Sequence, residues 1–182
     1  MAHVMAYAVG LSLWCGSCPV SRADGSLAEY QVKALFLLNF TKYVDWPPHA
    51  FAGSNTPITI GIYGESKLGE ALQRVVAGKS VGGRAIVIRQ MQSTDDFSQC
   101  HILFMSDSAA SRISVILDKT SAWPILTVGE DAAFAQNGGI VNFVLKNGNV
   151  RLEIDLAAAK KAGLTISSRL LAVADVVKGK PD

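Results

Sequence analysis

The sequence has few of the residues on which most catalytic and metal sites depend. Its 182 residues include only three cysteines and three histidines, and charged residues make up 18%. His49 and His101 do not have the spacing of a zinc site, and neither a Walker lysine pattern nor a G-x-S-x-G elbow is present. We therefore expect no metal site and no cofactor, and we find no motif of catalytic chemistry.

Basic residues are too scattered to form a nucleic-acid surface. The chain has 17 Lys and Arg residues against 15 Asp and Glu residues, which leaves a formal net charge of +2. Recognition of nucleic acid relies on a clustered basic patch that follows the phosphates. No such cluster occurs here, so we expect no nucleic-acid partner.

The first residues have the pattern of a secretory signal. Residues 4–14 are apolar apart from Ser12, and this run is much shorter than the roughly 20 residues that cross a bilayer. A region of small and polar residues follows and ends at Ser21-Arg22-Ala23, which resembles a cleavage site. We predict a signal peptide over residues 1–23, a single domain over residues 24–182, a periplasmic location and no membrane span in the mature form.

The remaining chain alternates short apolar strands with helices, a pattern typical of βαβ units and a mainly parallel sheet. Helices are predicted over residues 27–46, 65–77 and 107–119, and strands over residues 57–63, 84–91, 101–105 and 125–128. Asn147-Gly148 then predicts a tight turn between strands over residues 140–145 and 150–154. Two short helices close the chain, the last over residues 166–177. The predicted fold class is α/β, a Rossmann-like sheet with flanking helices and a C-terminal β-hairpin.

The first predicted helix is a candidate contact surface. Its residues 34–38 are five consecutive apolar residues, more than one stripe against a sheet requires. Tyr43 and Trp46 are residue types favoured at the centres of interfaces, and Pro47 ends the helix. We predict that Tyr43, Trp46 and Pro47 contribute to binding a partner or a second copy of the chain. The alternative is that all of these residues belong to the core.

Two other places suggest different functions. Gly129, Glu130 and Asp131 follow a predicted strand, where doubly wound folds bind ligands, so a small-ligand sensor is one alternative. Cys100 lies beside His101, and a thiol activated by an imidazole is the basis of another alternative, an unrecognised enzyme. The simpler interpretation is a buried cysteine beside a histidine whose ring is hydrogen-bonded.

Several segments of the sequence resemble the YfiR family of periplasmic proteins. They are residues 29–34, Phe36, Asn39, Phe40, Tyr43, Trp46, Pro47, and residues 82–84, 100–104, 126–129, 138–143 and 166–171. The resemblance implies a regulator, not an enzyme, which represses a membrane-anchored diguanylate cyclase by binding its periplasmic sensor domain, and so controls cyclic-di-GMP and biofilm formation. A sensor kinase is the alternative partner. Control by an internal disulfide is not expected after signal removal, because Cys100 would be the single cysteine.

The first testable prediction is that the protein is exported and cut after Ala23. The intact mass of the protein from the envelope fraction should correspond to a chain that begins at Asp24. Ala23→Arg should accumulate the uncut form, because cleavage requires a small residue at the last position of the signal. A full-length product in the cytoplasm of wild-type cells would contradict the signal peptide and the periplasmic location.

Overall fold

The structure, a computed structural model, describes residues 22–179, with side chains from residue 27 onward. The helices are α1 (Arg22–Tyr43), α2 (Leu68–Val76), α3 (Ile113–Thr120), α4 (Leu156–Lys161) and α5 (Ser168–Leu171). The strands are β1 (Val44–Asp45), β2 (Ile58–Tyr63), β3 (Ser80–Val81), β4 (Arg84–Met91), β5 (Ile102–Met105), β6 (Leu126–Gly129), β7 (Val141–Lys146), β8 (Asn149–Asp155), β9 (Thr165–Ile166) and β10 (Ala174–Val177). Apart from Arg22 and Ala23 in the first turn of α1, the predicted signal peptide lies outside the described residues.

Eight of these strands form one mostly parallel sheet, in the order β10-β8-β7-β6-β5-β2-β4-β3. The central strands β4, β2, β5, β6 and β7 are parallel to one another, whereas β8 and β10 run in the opposite direction. The turn between β7 and β8 places Asn147 and Gly148 at φ values of 53° and 75°, as a tight hairpin turn requires. The predicted α/β fold class and hairpin are confirmed.

Helices cover both faces of the central strands because the buried side chains alternate along each strand. On β5, Ile102 and Phe104 belong to the core beneath α1 and α2, whereas Leu103 and Met105 pack on the opposite face, in a second core that includes Ile113 of α3. All four strand residues are fully buried. The sheet therefore separates two apolar cores, and α1 packs in the larger one.

Helix α1 buries most of the apolar run over residues 34–38. Ala34, Leu37 and Leu38 are buried, and the ring of Phe36 lies 6.1 Å from that of Phe143 on β7. Leu35 points outward and is 49% exposed. Most of the run is core, as the alternative interpretation held, and Leu35 is its one exposed large side chain.

Two predicted helix boundaries were wrong. The first helix was expected to continue to Trp46, but it ends at Tyr43, because Val44 and Asp45 pair with Ile166 and Thr165 as the two-stranded ribbon of β1 and β9. The predicted helix over residues 107–119 is a 3-10 helix over Asp107–Arg112 followed by α3. In the first case pairing with a strand distant in sequence replaced the end of the helix, and in the second a 3-10 helix replaced its first turns.

The predicted last helix, residues 166–177, was also wrong. Only α5 is helical there, and β10 pairs in parallel with β8. The helical spacing of apolar residues arose from three successive elements. Residues 173–177 include three valines, which favour a strand, and β8 supplies the hydrogen-bonding groups that a strand requires.

The second prediction concerns Phe134, whose buried ring lies between two glycines. A Cβ atom at Gly129 would lie 2.2 Å from Phe134 Cδ2, and one at Gly139 would lie 2.1 Å from Phe134 Cε1. Gly129→Ala should lower the free energy of unfolding by about 1–3 kcal/mol, the usual cost of overpacking a core. Urea denaturation measures the change. Gly53→Ala is the matched control, because its nearest atom is 4.0 Å away, and an equal loss in both variants would contradict the packing argument.

Candidate functional site

The loop predicted to bind a ligand begins at Gly129, the last residue of β6. Its two carboxylates already accept hydrogen bonds from other residues of the chain. Glu130 Oε2 accepts a hydrogen bond from Lys33 Nζ at 2.6 Å, and Glu130 Oε1 accepts one from the backbone N–H of Asp107 at 3.2 Å. Asp131 accepts a hydrogen bond from the N–H of Ala133 at 2.8 Å. Gly129 lies against the Phe134 ring. Ligand binding by Gly129, Glu130 and Asp131 stays a prediction, and any ligand would compete with these contacts.

Lys33 forms a buried ion pair that sequence reasoning missed. It lies on the buried side of α1 with only 4% of its surface exposed, and it contacts both Glu29 and Glu130. Burial opposes its charge, but the hydrogen bonds to Glu130 and Glu29 outweigh burial and raise the pKa of Lys33. The sequence contained a signal of this ion pair, because Lys33 lies between two apolar residues, Val32 and Ala34, and four residues after Glu29.

The charges near Lys33 are mostly acidic. Burial, and then the charge of Glu130, raises the pKa of Asp107. Glu29 and Glu130 contact the lysine directly, so the single ammonium group holds the carboxyl side of the sheet to α1. Among the described residues, no group of three His, Cys, Asp or Glu side chains is arranged to hold a metal ion.

Cys100 and His101 do not form a catalytic pair. The Cys100 thiol packs beside Met91, with 3.9 Å between the sulfur atoms, and burial raises its pKa to about 11. The His101 ring accepts a hydrogen bond at Nδ1 from the N–H of Thr59 and donates one from Nε2 to the carbonyl of Ala50, both at 3.1 Å. Both ring nitrogens are therefore occupied, and the thiol stays protonated at neutral pH.

Tyr43, Trp46 and Pro47 lie together where α1 leaves the sheet. All three are half-buried. The indole N–H of Trp46 donates a hydrogen bond of 3.2 Å to the carbonyl of His101, and the carbonyl of Tyr43 accepts one of 2.9 Å from Ser167. These bonds hold the aromatic residues in place while part of each side chain remains at the surface.

A half-open cavity of about 890 Å³ adjoins this region. It lies beside the first residues of β6 and the last residues of β10, between the last turn of α3 and the first turn of α4. Its walls continue to Ala162, and the next residue, Gly163, packs beside Pro47. The cavity therefore adjoins the residues that end α1, and Asn137 and Gly138, from the segment between β6 and β7, form part of its wall.

The chain was compared with known protein families. Residues 30–175 match the domain family described as YfiR/HmsC-like. The chain belongs to the YfiR/HmsC-like family. This match covers Tyr43, Trp46, the Gly129 loop and the first half of β10, and it confirms the resemblance seen in the sequence. No curated protein matches the chain.

Two solved structures share the fold at low sequence identity. A conserved domain protein from Vibrio cholerae is 17% identical, with a TM-score of 0.51 over 66% of this chain and 54% of that one. An ABC domain in complex with L-Trp from Streptococcus pneumonia is 13% identical, with a TM-score of 0.53 over 82% of this chain and 60% of that one. The chain thus spans less than two thirds of either protein. At this level of identity the similarities establish only the α/β fold of the YfiR/HmsC-like chain. Within residues 22–179, no helix has the length and apolar character needed to cross a bilayer.

The third prediction concerns pH. Burial lowers the pKa of His101 below its ordinary value of 6.5, so the folded protein binds fewer protons than the unfolded chain as the pH falls through that value. Well above pH 6.5, His101 should therefore contribute no pH dependence to the free energy of unfolding, because the imidazole is neutral in both states. The free energy of unfolding should decrease below pH 6.5, until the pH passes the lower pKa of the folded state, by up to about 1.4 kcal/mol per pH unit.

Urea denaturation at pH 7.5 and 5.5 tests this prediction in three proteins. The wild type and His49→Gln should show the decrease, because His49 is exposed on the short 3-10 helix Pro48–Ala50. His101→Gln should show a smaller pH dependence, whatever its stability at pH 7.5. Equal pH dependence in all three proteins would contradict the role of His101.

Proposed function

We propose that this protein is a periplasmic regulatory protein that represses a membrane-anchored diguanylate cyclase by binding its periplasmic sensor domain. The observation that carries the proposal is the YfiR/HmsC-like match over residues 30–175. Loss of the protein would then raise cyclic-di-GMP and favour biofilm formation. A sensor kinase is the second class of partner that this role allows.

The geometry of Cys100 and His101 supports a binding role. A nucleophilic cysteine requires a thiolate and a free base within hydrogen-bonding distance. Here the pKa of the thiol is raised by burial, and both nitrogens of the imidazole are bonded to the backbone. The two residues stabilise the start of β5 and its contact with Trp46, so their presence is explained without a reaction.

We place the contact with the partner at Tyr43, Trp46 and Pro47. Aromatic residues held by their own hydrogen bonds bind a partner with little loss of conformational freedom. The ring of Trp46 meets that of His101 edge-on at 6.3 Å, and the ring of His101 stacks on Phe51 at 4.5 Å. These ring contacts restrict the orientation of the Trp46 side chain in the unbound protein.

Repression requires that the protein bind two states of the cyclase with different affinities. A binding protein shifts an equilibrium only by the difference between its affinities for the two states. A change from 1:99 to 99:1 in favour of the inactive state needs roughly a 10⁴-fold difference in affinity. The contact must therefore include groups of the sensor domain that move between its active and inactive states.

The fourth prediction tests this function and its contact residues. Deletion of the gene should raise cellular cyclic-di-GMP, and the wild-type gene should restore the lower level. Tyr43→Ala should fail to restore it, because loss of an aromatic hot spot weakens association by about 2 kcal/mol or more. Mass spectrometry of cyclic-di-GMP and binding of the purified protein to the cyclase's periplasmic domain are the two measurements.

Tyr30→Ala is the matched control for Tyr43→Ala. Both tyrosines lie on α1, are half-buried and pack against the same core, but Tyr30 lies more than three helical turns before Tyr43. Similar melting temperatures with a binding defect confined to Tyr43→Ala would support the contact. Equal binding by both variants would place the contact elsewhere, and an unchanged cyclic-di-GMP level after deletion would contradict a role in repressing a cyclase.

A further inference from the structure

The ring of His101, which immediately precedes β5, is hydrogen-bonded to two distant parts of the chain, and only 4% of the residue is exposed. Nδ1 accepts a bond of 3.1 Å from the backbone N–H of Thr59 on β2. Nε2 lies 3.1 Å from the carbonyl oxygen of Ala50, the last residue of the 3-10 helix Pro48–Ala50. Because a backbone N–H only donates and a carbonyl only accepts, both bonds require the neutral imidazole with its proton on Nε2.

The same ring is the middle member of a stack of side chains. The ring of Phe51 stacks on it with 4.5 Å between the ring centres, and the guanidinium carbon of Arg84 lies 4.0 Å from the centre of the Phe51 ring. The ring of Trp46 meets the imidazole edge-on at 6.3 Å. A displacement of the His101 ring would therefore change the surroundings of Trp46, one of the residues proposed to contact the partner.

The segment over residues 47–56 leads from the end of α1 to β2, and it depends on the same group of side chains. The imidazole holds its 3-10 helix, and Arg84 donates hydrogen bonds of 2.8 Å and 2.7 Å to the carbonyls of Gly53 and Thr56. The segment begins directly after Trp46. The neutral form of one buried ring therefore supports both Trp46 and the residues that follow it.

A proton on Nδ1 would reverse the hydrogen-bonding role of that atom. Both nitrogens of a charged imidazole are donors, so Nδ1–H and the N–H of Thr59 would face each other as two donors 3.1 Å apart. The new charge would also be buried, with the guanidinium of Arg84, a group of the same sign, on the far side of Phe51. A buried charge that lacks a partner is costly. The charged ring is therefore favoured only after it leaves this position.

The surroundings of His101 keep its ring neutral near neutral pH. Burial is the main cause that lowers the pKa of His101 below its ordinary value of 6.5; the bond to the carbonyl of Ala50 opposes this effect, and the charge of Arg84 adds to it. Other charged or titratable side chains on the neighbouring elements are the exposed Lys42, Asp45 and His49, and the buried thiol of Cys100, which is uncharged at neutral pH. Protonation of the folded protein therefore belongs to acidic conditions.

We infer that His101 is a pH-sensitive switch of the partner contact: its neutral ring holds Trp46 and residues 47–56 in the orientation that binds, and protonation releases them. The inference rests on the proposed function for the identity of the partner, and it adds how binding is regulated. If only the neutral form binds, the apparent affinity follows the fraction of neutral ring, which falls by about tenfold for each pH unit well below the pKa of the folded state. Acid would thus release the cyclase from repression.

The first measurement follows Trp46 by NMR in the exported wild-type protein, as the pH is lowered from 7.5 over the range in which the protein stays folded. The indole N–H of Trp46 donates to the carbonyl of His101, so its resonance should shift with the same midpoint as the ring protons of His101. Trp123, which is 47% exposed after α3, provides a control indole that should not follow this midpoint. A Trp46 resonance independent of His101, or a His101 ring that does not titrate in the folded protein, would overturn the switch.

The second measurement is the affinity for the periplasmic domain of the cyclase, at pH 7.5 and at one pH unit below the midpoint found for His101. The wild type and His49→Gln should each bind about tenfold more weakly at the lower pH. His101→Gln should change less than twofold, whatever its affinity at pH 7.5. Titration of the cyclase domain itself affects all three proteins alike, so an equal loss in all three would overturn the inference.

His101→Asn is a second variant in case His101→Gln does not fold, because its amide oxygen can accept a hydrogen bond in place of Nδ1. If neither variant folds, the NMR titration of the wild type decides between the outcomes.

The two measurements also separate this inference from the proposed function. If the domain binds at neither pH while Trp46 follows His101, the switch stands and the cyclase is the wrong partner. If the domain binds the wild type equally well at both pH values, the switch is overturned and the regulatory role stands.

Discussion

Helix α1 brings a lysine into the protein interior, and the ion pair between Lys33 and Glu130 determines where the helix lies on the sheet. A buried charge without a partner costs several kcal/mol. Glu29 lies on α1 itself, so Glu130 is the partner whose position favours this placement of the helix. At the other end of α1, the main-chain pairing of Val44 with Ile166 sets the second point of attachment. Between these points the helix packs Ala34, Leu37 and Phe40 against the sheet.

This placement of α1 determines which side of the sheet remains open. In most doubly wound folds the carboxyl ends of the parallel strands form the ligand site. Here Lys33 engages Glu130 at that side, and Phe134 packs against Gly129. Tyr43 and Trp46 lie at the other end of the packed part of α1, and the cavity adjoins them through Ala162 and Gly163. The residues proposed to contact a partner therefore lie where α1 ends and not at this strand-end loop.

The same arrangement explains why Cys100 and His101 are structural. The imidazole of His101 is hydrogen-bonded to the backbone of Thr59 and Ala50, and the backbone carbonyl of His101 accepts a hydrogen bond from the indole N–H of Trp46. Through these bonds the first residues of β5 position the residues that end α1. The buried histidine therefore contributes to the proposed contact surface without touching a partner itself.

Local patterns in the sequence determined the central strands, the hairpin at Asn147-Gly148 and the α/β fold class, because strand alternation and turn chemistry act over a few residues. The end of α1 and the strand β10 were decided by the tertiary structure. Residues 44–45 and 174–177 become strands because β9 and β8 supply hydrogen-bonding partners distant in sequence. The contact of Lys33 with Glu130 joins residues 97 positions apart, and no local pattern specifies such a pair. The sequence by itself therefore determined the central strands, the hairpin and the family resemblance, whereas only the tertiary structure decided where α1 ends, that residues 174–177 form a strand, and that Lys33 pairs with Glu130.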